Sequence, residues 1–160
     1  MAQTDSKIRS QLIPLAGMSL VLPNPCIAEV ISYKEPQPAD GAPDWLLGFI
    51  DWRGVRIPLI SFEAANGGSP AKADRRSRIV VLNGIGGDED LPFFGLVAQG
   101  IPRLMQLDAT IISAIARPEN IHPLALQHTL VQEQEAIIPD QDKLERMIKQ
   151  HGLSAALLSA

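Results

Sequence analysis

Short apolar runs broken by Gly and Pro recur along the whole chain, and only the last of them keeps a helical period. "QLIPLAGMSLVLP" (11–23) is two apolar pieces on either side of Ala16-Gly17, which predicts a strand, a tight turn or bulge, and a second strand. "CIAEVISY" (26–33) alternates, with Ile27, Glu29 and Ile31 on one face and Ala28, Val30 and Ser32 on the other. Neither face is cleanly polar, so this strand lies between two environments. "KEPQPADGAP" (34–43) carries three Pro and one Gly and reads as a loop. "DWLLGFIDW" and "VRIPLISF" are β-rich runs joined by Arg53-Gly54, the pattern of a hairpin. Pro58 in the second run predicts an edge strand or a bulge. "FEAANGGSPAKADRRS" (62–77) is a connector with one helical turn at its start.

In the second half, "RIVVLN" (78–83) is a short buried strand. "LPFFGLVAQGIPRLMQL" (91–107) reads as one long strand bent at Gly95, Gly100 and Pro102. "DATIISAIARPENIHP" (108–123) fits either a helix or an irregular loop, and "LALQHTLVQE" and "EAIIPD" are weaker strands. "DQDKLERMIKQHG" (140–152) is the clear helix: Leu144, Met147 and Ile148 share one face, Asp140 or Asp142 can cap its start and Gly152 its end. Nine or ten short strands and one terminal helix make an all-β pattern of one or two small barrels. No internal repeat is visible. Residues 1–9 are polar and expected to be flexible, 10–152 form one domain, and 153–160 a tail.

Composition narrows the function. A chain of 160 residues usually forms one domain and buries roughly 70% of its unfolded surface, so it needs no staples. It is 46% apolar but only 4% aromatic, so its core must be aliphatic. A net charge of −4 and a pI near 5.3 argue against a general nucleic-acid binder and against binding to anionic membranes. The single cysteine, Cys26, allows no internal disulfide, suits a reducing compartment and reads as a small core residue. Lys7 and Arg9 before "LIPLAGMSLVLP" resemble a secretory leader, but Pro14, Gly17 and Ser19 break the run and it is too short to span a bilayer. It reads as strand, and the protein as cytoplasmic.

No motif reaches a catalytic signature. "NGIGGDED" (83–90) follows a strand as a phosphate loop would, yet it lacks Lys-Ser/Thr and its acids repel phosphate. His122, His128 and His151 show no metal-ligand spacing, alone or with Cys26. Arg53-x-x-Arg56 falls one residue short of a cyclic-dinucleotide motif. No carboxylate pair is flanked by aromatic rings. The basic cluster "ADRRSR" (73–78) reads as a solvated loop flank. We therefore expect no cofactor and no metal. What stands out is residues 42–61, which hold both Trp45 and Trp52, the only two tryptophans, with Arg53 at the hairpin tip. Trp and Arg are enriched in protein-interface hot spots. Arg53 beside buried strand needs a carboxylate, and Glu29, set among apolar residues, needs a cation. The two are expected to pair.

With these residues in view, the sequence resembles the CheW family of chemotaxis coupling proteins from about Leu12 to Ile148. The carriers are "IPLAGMSLVLP", "IAEVISY", "WLLGFIDWRGVRIPLISF", "RIVVLN" with "FFGLVAQGIPRLMQL", and "AIIPDQDKLERMI". "PDWLLGFIDWRG" is most similar to accessory adaptors of the type IV pilus chemosensory (twitching motility) pathway, the ChpC-like proteins. The resemblance implies two five-stranded SH3-like barrels packed side by side, with a third apolar core between them. It implies no catalysis and two partners: the cytoplasmic tip of a methyl-accepting chemoreceptor, and the regulatory domain of a CheA-type histidine kinase. Membrane contact would then be indirect, through receptors. Carried over by position, the receptor groove comprises Ile27, Glu29, Gly48, Arg53, Ile101 and Leu104, to which the hot-spot argument adds Trp52. Gly48 would permit close backbone approach. The sequence departs from the family pattern at Gln99, at Asp51-Trp52 and through "ARPENIHPLALQHT". The competing expectation is a small β-barrel sensor whose groove holds a small molecule.

Overall fold

The computed structural model describes residues 7–86, 91–117 and 122–152, with His151 and Gly152 described by backbone alone. The expectations for residues 1–6, the acids of "NGIGGDED", the middle of "ARPENIHP" and the tail 153–160 lie outside the described residues. The chain forms β1 (Ile8–Leu15), β2 (Met18–Pro23), β3 (Ile27–Ser32), β4 (Leu46–Trp52), β5 (Val55–Ile60), α1 (Phe62–Ala65), β6 (Arg78–Asn83) and β7 (Phe93–Ala98). There follow β8 (Arg103–Leu107), β9 (Ile112–Ile115), β10 (Ala125–Val131), β11 (Gln134–Pro139) and α2 (Gln141–Met147), which runs into a wider turn at Ile148–Gly152.

The strands make two sheets. The chain's two ends build the first, in the order β8-β1-β2-β11-β10-β9, and its middle builds the second, β3-β6-β7-β5-β4. Both follow one plan that no sequence repeat announces. Two hairpins, β1-β2 with β10-β11 and β4-β5 with β6-β7, join through the parallel contacts β2-β11 and β5-β7. Further strands then pair on the outside. The expected all-β pair of small barrels with a C-terminal helix is therefore present, but the first sheet has six strands rather than five.

Burial follows three clusters. Leu12, Val21, Leu107 and Val131 fill the first sheet's interior, and Ile50, Trp52, Ile57, Leu59, Ile79 and Val97 fill the second's. The largest cluster lies between the sheets, with Ile13, Leu20 and Ile137 from one, Phe49, Val80 and Phe94 from the other, and Leu144 and Ile148 from the helix. Strands such as β1, β2, β4, β6, β7 and β11 thus send apolar side chains to either face, which is why clean polar alternation is missing from the sequence. Asp140 caps α2 by accepting from the Lys143 N–H at 3.1 Å.

Several local expectations are corrected. β1 begins at Ile8, inside the stretch expected to be frayed, because Ile8 pairs with Leu107. In β3 a bulge between Ile27 and Glu29 breaks the predicted faces: Ile27 and Val30 pack on the central cluster, Ala28 and Ile31 on the second sheet's own. β5 is not an edge strand, yet its pairing with β7 starts only at Leu59, so Pro58 stands just outside that ladder. The long strand 91–107 is two strands in different sheets, turned at Gln99–Pro102, where the Gln99 N–H donates to the Pro14 carbonyl at 2.8 Å. Gly95 is no break: it sits inside β7, tight against Ile79 and Leu59. Residues 112–115 are neither helix nor loop but β9, paired with β10.

Candidate protein-binding surface

The second sheet ends in two edges, β3 and β4, that share no backbone ladder. Side chains clasp them instead. The Arg53-Gly54 turn has φ of 50° and 78°, the left-handed pair that a two-residue hairpin demands. It holds Trp52 and Arg53 beside β3. The Trp52 indole Nε1 donates to Glu29 Oε1 at 2.9 Å, and Arg53 Nε donates to the same oxygen at 3.2 Å. Lys34 Nζ donates to the Asp51 carbonyl across the same gap. Farther along, the Gln37 segment adds a bridge to β4 at Phe49.

The expected Glu29–Arg53 pair is therefore formed, with an unforeseen third member. Trp52 is 8% exposed and its ring meets Phe93 edge-on, centroids 4.8 Å apart. Its ring fills the core while its one polar atom reaches the surface carboxylate. The Trp52 hydrogen bond, then the Arg53 charge and hydrogen bond, hold the Glu29 carboxyl below its ordinary range against the opposing effect of burial. Arg53 lies over the indole at 5.2 Å to its centroid, yet its side chain stays 68% exposed. The result is a guanidinium fixed at its root and open to solvent.

The remaining predicted residues fall in other places. Ile27 is half-buried on the central core. Gly48 is covered by this chain itself: a Cβ there would lie 2.2 Å from the Gln37 carbonyl oxygen. Ile101 and Leu104 are 69% and 70% exposed. Leu104 points outward from β8, whose Met105 and Leu107 point in, and shares a shallow hollow with Arg9 and Asn24, just ahead of β3. Glu29, Trp52 and Arg53 are thus brought together by direct contacts, while Ile101, on the turn between β7 and β8, and Leu104, on β8, are exposed apolar points. The two tryptophans do not cluster: Trp45 belongs to the central core and Trp52 to the second sheet's own. The space between the sheets is packed by the chain's own side chains.

Other candidates resolve plainly. Cys26 is only half-buried, and burial, then Glu145, push its thiol up toward the protonated form. In the basic cluster, Arg78 donates to the carbonyls of Arg75, Arg76 and Ser77, while Arg75 and Arg76 are exposed. His122 and His128, far from each other in any motif sense, come ring to ring at 5.0 Å. The first sheet's edges, β8 and β9, likewise share no backbone ladder. A cavity of about 290 Å³ lies there, walled by Ile8, Val21, Leu107 and Ile138, at the small end of ligand-sized pockets.

Two curled β-sheets fused over a shared core, with one pair of edges clasped by side chains and apolar residues left outward, define a two-barrel β protein. The chain belongs to the CheW-like domain family, whose model matches residues 10–148. Its fold is similar to that of the scaffolding protein TtCheW from Thermoanaerobacter tengcongensis, with a TM-score of 0.70 over 87% of this chain and 88% of that one. Sequence identity is 18%, so this likeness is one of fold. None of the curated proteins compared matches the chain. Among the described residues, no helix is long and apolar enough to cross a membrane.

Proposed function

We propose that this chain is a non-catalytic, cytoplasmic coupling adaptor that joins chemoreceptor tips to a CheA-type histidine kinase. The observation that carries the reading is the Arg53 guanidinium, held at Nε by Glu29 and backed by Trp52, on a chain of the CheW-like family. A charged fork whose position is set before binding loses little freedom on binding. Glu29 and Arg53 form the polar part of the receptor face, and Leu104 and Ile101 its apolar points. Ile27 and Trp52 act from beneath as supports, and Gly48 lets Gln37 close over β4. Micromolar contacts of about −8 kcal/mol suffice, because an array multiplies them. The likeness of "PDWLLGFIDWRG" to ChpC-like adaptors supports a place in a type IV pilus pathway.

The test is capture of purified chain by an isolated receptor cytoplasmic tip and by a kinase regulatory domain. Both should bind, and Arg53→Ala should lose the receptor while its far-UV circular dichroism stays that of the parent. Capture by neither partner, or a small molecule retained in native mass spectrometry, would overturn the adaptor reading.

A further inference from the structure

The segment that leads into β10 is tied to the second sheet by one buried amide. Asn66 caps α1, is 5% exposed, and its Oδ1 accepts from the Leu124 N–H at 2.7 Å. That bond fixes which end of the carboxamide is oxygen, since only oxygen can accept there. Asn66 Nδ2 must then be the atom 3.1 Å from His122 Nδ1. An amide NH₂ can only donate, so His122 Nδ1 must accept. The imidazole is therefore neutral, with its proton on Nε2. A protonated ring would turn N–H against N–H.

We propose that the Asn66–His122 contact is a proton-controlled latch between the two sheets, closed when His122 is neutral and opened by its protonation. Its location gives it reach. α1 continues from β5 of the second sheet, and Leu124 feeds β10 of the first. Leu124 also accepts from the Asp140 N–H at 2.7 Å, at the start of α2. An opened latch leaves a buried donor on Leu124 and a buried amide on Asn66 with poorer partners, which is costly.

The surroundings offer an arriving proton little help. His128, ring to ring with His122, has a buried Nε2 with no partner among the described residues. The two rings share a cavity of about 110 Å³ with Ser19, Thr129 and Glu135. Glu135 is engaged by Arg117 at 2.7 Å. Glu63, which lines the adjoining cleft with His122, accepts from the Ala16 N–H and the Ser61 hydroxyl. Lys143 donates to the Pro123 carbonyl from α2. The cations and carboxylates around the pair are thus balanced, and hydrogen-bond direction decides. Burial, followed by His122 and Arg117 and opposed by Glu135, pushes the His128 imidazole down, in keeping with a site that resists positive charge.

The test reads the full chain by NMR. Imidazole nitrogen shifts at about pH 7.5, above the ordinary histidine range, should show His122 with its proton on Nε2. Protection of the Leu124 and Asp140 amides against hydrogen exchange should fall about tenfold on going to about pH 5.5, the scale of one lost buried hydrogen bond. His122→Asn keeps an acceptor near the Nδ1 position but cannot titrate, so its protection should be the same at both pH values. A proton on Nδ1 at the higher pH, unchanged wild-type protection at the lower, or the same loss in His122→Asn would each overturn the latch. The first two readings need no variant.

Discussion

Trp52 Nε1 donates to Glu29 Oε1 at 2.9 Å, so a ring buried in one sheet's core steers a carboxylate on its surface. The two roles of Trp52 can be separated. Trp52→Phe keeps a ring against Phe93 and removes the donor. It should leave the urea midpoint near that of the parent but free Glu29 and Arg53, seen as greater mobility at Arg53 Nε in relaxation measurements. Trp52→Ala empties the core and should cost about 3–5 kcal/mol.

Acid should weaken the same clasp. The Glu29 carboxyl is held below its ordinary value of 4.5, first by Trp52 and then by Arg53. A carboxylate with a depressed folded value contributes stability that is complete above 4.5 and is lost as pH falls through the folded value. Thermal melts from neutral pH down to about pH 3 should show this loss, and Glu29→Gln should flatten the curve. An equally steep curve in that variant would place the acid sensitivity elsewhere, with Asp108, held low chiefly by Thr110, the next carboxylate to replace.

Two glycines with positive φ should respond very differently. Gly48, at φ 142°, has the Gln37 carbonyl where a Cβ would go, whereas Gly54, at φ 78°, has nothing within 4 Å. Gly54→Ala should cost only the left-handed conformation, about 1–2 kcal/mol. Gly48→Ala should exceed about 3 kcal/mol, since strain and a backbone clash combine. Denaturant unfolding of both variants tests the order, and a reversed order would mean that the Gln37 segment yields easily.

Charge reversal tests whether Glu29 and Arg53 act as a pair. Glu29→Arg and Arg53→Glu should each weaken receptor-tip capture, and the double reversal should recover more of it than either alone. The urea midpoint should move little in the Arg53 variant, as expected of an exposed ion pair. Additive losses in the capture assay would show that the two side chains serve the surface independently.

Another carboxylate ties α2 to the loop after β6. Glu145 is 2% exposed and accepts from the Ile85 and Gly86 N–H groups at 2.9 and 3.1 Å and from Gln141 Nε2 at 3.0 Å. Glu145→Gln turns an NH₂ toward those donors and should cost about 1–3 kcal/mol. Amide exchange at Ile85 and Gly86 should rise with it. Unchanged exchange there would mean that the loop is held by backbone contacts alone.

Several of these relationships were legible in the sequence and several were not. The Arg53-Gly54 hairpin and the Asp140 cap are local: a two-residue turn and a first helical turn carry their chemistry within a few positions, so spacing suffices. The Glu29–Arg53 pair was reachable by a different route, because each residue sat where an unpaired charge would be costly. The third member was not, because Trp52 Nε1 meets Glu29 only where two strand edges close. The bulge at Ile27–Glu29 likewise shifts every later side chain by one face, and nothing in "IAEVIS" signals it.

By itself the sequence determined an aliphatic all-β chain, most of its strands, its terminal helix and the family it resembles, since these depend on residue type and short spacing. Tertiary structure alone decided that β7 and β8 part into different sheets, that β9 is a strand, that the tryptophans enter separate cores and that Asn66 meets His122. Each of those outcomes rests on contacts between residues distant along the chain, whose geometry is set only when both sheets have closed over one core.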